Sequence, residues 1–170
     1  RRQMLMDTRK PLIVMTPKSL LRNKASTSTL EELSEGGFQL VIDDTRVTNK
    51  DRVKRVVLCS GKVYYDLAEK RDAENIREVA VMRVEQLYPF PEPDLRGFVN
   101  EFPNATEVVW CQEEPQNQGS WYQIRHHLQA CISGRQELKY VGRAHSASPA
   151  VGYYTVHMQE QQALVDEAIM

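Results

Sequence analysis

No apolar run in this chain is long enough to cross a bilayer, and no secretory leader opens it. Cysteine is scarce. Cys59, Cys111 and Cys131 are odd in number, widely spaced and lack a Cys-x-x-Cys pair. That pattern points to buried thiols in a reducing compartment rather than to disulfides or metal ligands. A charge surplus is missing too: 22 Lys and Arg face 23 Asp and Glu, a net charge of −1. Nothing therefore draws the chain as a whole to nucleic acid or to an anionic membrane. There is no Gly-x-Gly-x-x-Gly, no Walker Lys-Ser/Thr pair, no Gly-x-Ser-x-Gly elbow and no internal repeat.

What is present is ordinary for a folded chain: 41% hydrophobic and 26% charged residues over 170 positions. That length accommodates one domain and a piece of a neighbour. The first residue is Arg1, so a fragment or processed product is expected. Residues 1–24 concentrate seven cations against Asp7 alone. A solvated basic face and a phosphate contact are both open readings. No aromatics interleave these charges, which argues against a stacking surface for single strands.

Residues 11–15 (Pro-Leu-Ile-Val-Met) read as a short buried strand, and Thr16-Pro17 as the start of a short helix through Leu21. A small-polar linker, Ala25–Thr29, leads to a short helix near Leu30–Leu33 that stops at Gly36-Gly37. Residues 43–52 read as a surface loop. From residue 51 the pattern is regular. Strands are predicted over Val53–Cys59, Val79–Val84, Val108–Cys111 and Leu138–Val141. Between them Val63, Leu67 and Ala68 mark one helix, Leu95, Phe98, Val99 and Phe102 a second, and Trp121, Ile124, Leu128 and Ile132 a third. Leu164, Val165, Ala168 and Ile169 mark the last. Strands alternating with helices predict an α/β fold, a three-layer α/β/α sandwich around a mostly parallel sheet.

Four features invite a functional reading. Cys59-Ser60-Gly61-Lys62 joins a strand to a helix where an anion could sit, and Glu85 mimics a ribose-binding acid; one glycine where three are needed favours a structural turn. Glu113-Glu114 follow an apolar run and could form an acid–base pair. Salt bridging, capping of the next helix or an interdomain contact is the plainer role, because neighbours along a strand point apart. His126 and His127 are consecutive on a helix and cannot chelate one ion, while His145 and His157 have no local ligand partner. Tyr64-Tyr65 and Trp110/Trp121 read as core or interface aromatics.

Five segments, in order and spacing, resemble the C-terminal region of the thiamine-diphosphate-dependent first component of the 2-oxoglutarate dehydrogenase complex. They are Pro11–Arg22, Cys59–Asp66, Arg83-Val-Glu-Gln-Leu-Tyr-Pro-Phe-Pro91, Trp110-Cys-Gln-Glu-Glu-Pro-Gln-Asn-Gln-Gly119 and Ser146-Ala-Ser-Pro-Ala-Val-Gly152. The resemblance implies that 1–24 end a preceding pyrimidine-binding domain, 25–50 form a linker and 51–170 form a transketolase-type C-terminal domain. It implies a homodimeric parent enzyme of the tricarboxylic acid cycle. That parent would decarboxylate 2-oxoglutarate on thiamine diphosphate and Mg²⁺, then succinylate a lipoyl group of the succinyltransferase component. Its compartment would be the cytoplasm in a prokaryote or the mitochondrial matrix in a eukaryote.

No Gly-Asp-Gly segment followed by Asn, the family's Mg-diphosphate loop, is present, so no catalytic, cofactor or metal residue is transferred. The stretch itself is expected to be noncatalytic and to bind neither nucleic acid nor membrane. In actinobacterial members an acetyl-CoA activator site lies between the last two domains. Its first arginine falls on Arg2 and its glutamine on Gln86; its other cations fall on Gly37, Pro93 and Asp94, and its serine on Leu40. The resemblance thus leaves Arg2 and Gln86 as candidate contacts for a regulatory nucleotide and predicts weak or absent acetyl-CoA activation. The alternatives are a free-standing nucleotide-binding regulatory module built on Ser60-Gly61-Lys62, and an interaction domain docking through Glu113, Glu114 and the proline-rich turn.

Overall fold

The computed structural model describes residues 2–170 and divides into two compact units, one through Gln39 and one from Leu40 to Met170. The first unit holds two short helices, α1 (Arg2–Leu5) and α2 (Leu30–Ser34), and two 3₁₀ turns at Lys18–Arg22 and Lys24–Ser26. Thr29 caps α2 by a capping box with Glu32, each satisfying the other's backbone N–H. The predicted strand at 11–15 is not formed: the segment is irregular, and Ile13 and Met15 are 83% and 91% exposed. A strand needs a hydrogen-bonding neighbour, and among the described residues none pairs with it.

The second unit is a five-stranded sheet. Its strands are β1 (Val41–Ile42), β2 (Arg55–Cys59), β3 (Val79–Val84), β4 (Glu107–Pro115) and β5 (Glu137–Arg143). They lie in the order β1-β3-β2-β4-β5, with β1 antiparallel and the other neighbours parallel. The crossover helices are α3 (Val63–Ala73), α4 (Glu92–Asn100) and α5 (Trp121–Cys131), and α6 (Tyr154–Ile169) closes the fold. The α/β/α sandwich read from the sequence is the observed architecture.

Strand alternation sends the apolar residues both ways. Val56, Leu58, Met82, Val108 and Trp110 pack with Leu95, Val99, Ile124 and Leu128 of α4 and α5. Val57, Cys59, Val81, Val109 and Cys111 pack with Leu67, Leu164 and Ala168 of α3 and α6. The chain steps outward from β2 to β3, then reverses across β2 to β4. Keeping one crossover hand through that reversal moves α4 to the opposite face from α3.

Two details depart from the sequence reading. The sheet unit begins at Leu40, ahead of residue 51, because β1 pairs with Arg83 and Val84. The segment 43–52 is not wholly a surface loop: Asp44 is 3% exposed. Its Oδ2 accepts from Val81 N at 2.7 Å and from the buried Arg71 guanidinium. β1 is two residues long and stops short of Val81, so a carboxylate takes the hydrogen bond that a longer strand would have supplied.

Candidate functional site

Ligands in open α/β sheets usually meet the carboxyl ends of the strands where the chain reverses direction. Here that place lies between the ends of β2 and β4, and an ion pair spans it. Lys62 Nζ lies 2.7 Å from Glu113 Oε1 and 3.5 Å from Asp66 Oδ2. Burial alone would lower the Lys62 pKa, but hydrogen bonds and attraction from Glu113 and Asp66 raise it above 10.5. Lys62 is a committed cation.

The network continues across the α3–α6 face. Asp66 Oδ2 accepts from Gln161 Nε2 at 2.8 Å, and Gln161 Oε1 accepts from Arg143 Nη2 at 2.9 Å. Arg143 Nε donates to Glu160 Oε2 at 2.9 Å, and its Nη1 donates to the Glu113 carbonyl. His157 Nδ1 lies 3.4 Å from Arg143 Nη2. One guanidinium thereby joins β4, β5 and α6.

On the other face a single amide organises the turn after β4. Gln112, 3% exposed, accepts at Oε1 from Trp110 Nε1 (2.9 Å) and Trp121 N (3.1 Å). Its Nε2 donates to the carbonyls of Glu114, Pro115 and Gln118. Close approach to this side chain dictates Gly119, where φ is +64° and a Cβ would stand 2.9 Å from Gln112 Nε2. Gly142 is dictated likewise, since a Cβ would meet Tyr140 Oη at 2.4 Å and the Gln112 carbonyl at 2.7 Å. It lies beside an irregularity in the β4–β5 register between Cys111 and Pro115. Beyond the turn, Asn117 and Gln118 donate to the Ser146 carbonyl at 2.9 and 3.0 Å. His145 Nε2 lies 2.8 Å from Gln116 Oε1.

This edge is braced, and its reactive groups are quiet. Burial pushes the Cys59 thiol well up and the Cys111 thiol up to about 12, so both stay protonated. Burial also raises the Tyr140 phenol to about 12. His127 Nδ1 is hydrogen-bonded to Glu92, and its ring stacks on Phe90. Among the described residues no three His, Cys, Asp or Glu side chains gather to hold a metal ion. The carboxylates nearest the switch point are already engaged by Lys62, Gln161 and Arg143, so they do not fit a Mg²⁺-diphosphate.

Of the sequence candidates, Glu113 pairs with Lys62, whereas Glu114 is exposed and contributes its carbonyl to Gln112 and Tyr140. Both carboxylates lie within β4 itself. Gln86 lies after β3, its Nε2 donating to the Pro89 carbonyl at 2.8 Å. Arg2 belongs to the first unit, with its guanidinium 4.8 Å above the Phe38 ring. Gln112, Arg143 and Gln161 were missed. Gln112 left a trace: a polar residue in phase with the buried Val108 and Trp110.

Four segments quoted for the resemblance meet at this edge. Lys62 and Asp66 touch the Glu113–Gln161 network, Ser146 receives the turn after β4, and Arg83 stacks 4.5 Å over the Tyr64 ring. A family model described as 2-oxoglutarate dehydrogenase C-terminal matches residues 27–169. The chain is 52% identical over 168 residues to a 2-oxoglutarate dehydrogenase E1 component of Cupriavidus necator, and 50% identical over 169 residues to that of Haemophilus influenzae. It is 48% identical over 171 residues to that of Azotobacter vinelandii. Each match covers 99% of this chain and 18% of the relative, so the chain spans under a fifth of the length of these curated proteins.

Proposed function

Because the chain belongs to the 2-oxoglutarate dehydrogenase C-terminal family, we propose that it is the C-terminal structural and regulatory domain of an E1 component. The parent would decarboxylate 2-oxoglutarate and pass a succinyl group to a lipoyl-bearing succinyltransferase. Thiamine diphosphate and Mg²⁺ would be held by preceding domains of the same polypeptide, and the parent would be a homodimer. The observation carrying this reading is identity near 50% along almost the whole chain to proteins of that name. The braced carboxyl edge supports it, since its charges are spent on holding β4, β5, α3 and α6 together. The domain's own work is to present a rigid face to its neighbours, with the exposed Glu114 at the contact. Acetyl-CoA activation would be weak.

Titration calorimetry of this chain with thiamine diphosphate and Mg²⁺ tests the assignment. The expected outcome is no saturable heat. Micromolar binding would overturn it, because the chemistry would then reside here.

A further inference from the structure

The opposite edge of the sheet differs. At the amino ends of β2 and β3, the turn 46–52 and the segment joining α3 to β3 enclose a cavity of about 660 Å³. Arg46, Arg52, Arg71 and Arg77 line it against Asp72 alone. Two of these cations are spoken for: Arg71 by Asp44 and Asp72, and Arg46 by Asp72. Arg52 and Arg77 are exposed and have no carboxylate within ion-pair distance among the described residues. Asn49 turns its Oδ1 to the Asp51 N–H at 3.1 Å, which leaves its amide N–H₂ as a neutral donor in the wall. Val47, Ile76 and Val79 supply an apolar floor that keeps the local dielectric low.

We propose that this cavity is a binding site for a small phosphate-bearing anion, held by Arg52 and Arg77 with Asn49. Two unspent guanidinium forks match a doubly charged tetrahedral group, whose oxygens accept paired N–H bonds. Arg46 and Arg71, fixed by their aspartates, add positive potential without needing to move. The cavity carries no aromatic ring, so recognition rests on charge and hydrogen bonding. The site is independent of the family assignment and lies at the strand ends opposite the usual ligand edge.

Inorganic pyrophosphate is the probe, applied to the intact polypeptide. Phenylglyoxal labels exposed arginines, and peptide mass mapping reads each one. Saturating pyrophosphate is expected to protect Arg52 and Arg77 while leaving Arg125, exposed on α5, labelled as before. The Arg52→Gln/Arg77→Gln double variant keeps the Asp44–Arg71 and Asp72–Arg46 pairs and an unchanged melting temperature. It is expected to bind pyrophosphate roughly tenfold more weakly by calorimetry. No protection of the two arginines, protection of all arginines alike, or unchanged affinity in the double variant would each overturn the proposal.

Discussion

The two ends of the parallel strands are built on opposite electrostatic plans. At the carboxyl ends, where α/β sheets usually meet ligands, Lys62, Glu113, Asp66, Arg143 and Glu160 are matched cation to carboxylate. At the amino ends, Arg55, Glu107 and Lys139 are matched under β2, β4 and β5, but beside β3 the arginines outnumber their partners. Position in a fold is therefore a weak guide to where a surface is open for business with a ligand.

The largest expected effect lies at the amino end. Asp44→Ala leaves Nη1 of the 5%-exposed Arg71 side chain and the Val81 N–H without their acceptor, and Arg71 keeps only the exposed Asp72. It should cost about 3–5 kcal/mol in urea unfolding. The double variant Asp44→Leu/Arg71→Met removes both charges and should recover much of that loss. If it does not, the pair is more than an electrostatic match.

A middle-sized effect is expected at the carboxyl end. Gln112→Ala strands the indole N–H of Trp110 and the Trp121 N–H, for about 2–3 kcal/mol. Because Trp110 is buried against it, a red-shifted tryptophan emission in the folded variant checks the mechanism. A loss matching that of Asp44→Ala would erase the contrast between a neutral hub and a buried ion pair.

The smallest effects separate by pH. Glu107 has its pKa lowered by Lys139, then Arg55, against opposing burial. Its contribution is present above the ordinary value of 4.5 and is lost as pH falls through the lowered folded value. Glu107→Gln should flatten the acid limb of the stability profile. Lys62 has a raised pKa, so its contribution is complete below 10.5 and is lost as pH rises through the folded value. Lys62→Met should cost under about 1 kcal/mol at neutral pH, the pair being partly exposed, and should remove its share of the alkaline limb.

Much of the sheet was legible because each parallel strand carries its own apolar pattern. Val79–Val84 is a strand over the residues predicted, and the helix faces at Leu67, Leu95, Leu128 and Leu164 are buried as read. β1 was invisible: two residues make no period, and it is held by pairing with a strand some forty positions away. The run at 11–15 failed for the same reason in reverse, since apolar content cannot by itself supply a pairing partner. At the carboxyl edge the motifs could be read, whereas the bonds joining them could not. Asp66 and Gln161 are 95 positions apart, and only the folded crossovers bring them into reach. The arginine cavity gave no signal, because its cations are scattered from Arg46 to Arg77 across a strand and a helix.

The carboxylate of Asp44, sitting on the outer rim of β3, has a practical consequence for anyone shortening this polypeptide. A cut at residue 51, where the regular pattern starts, would strip away both the two-residue flanking strand and the group that quenches the Val81 amide. The bared rim would be a template for another molecule's backbone, and such a product should self-associate into strand-bridged clumps. Starting at Leu40 keeps that rim shielded.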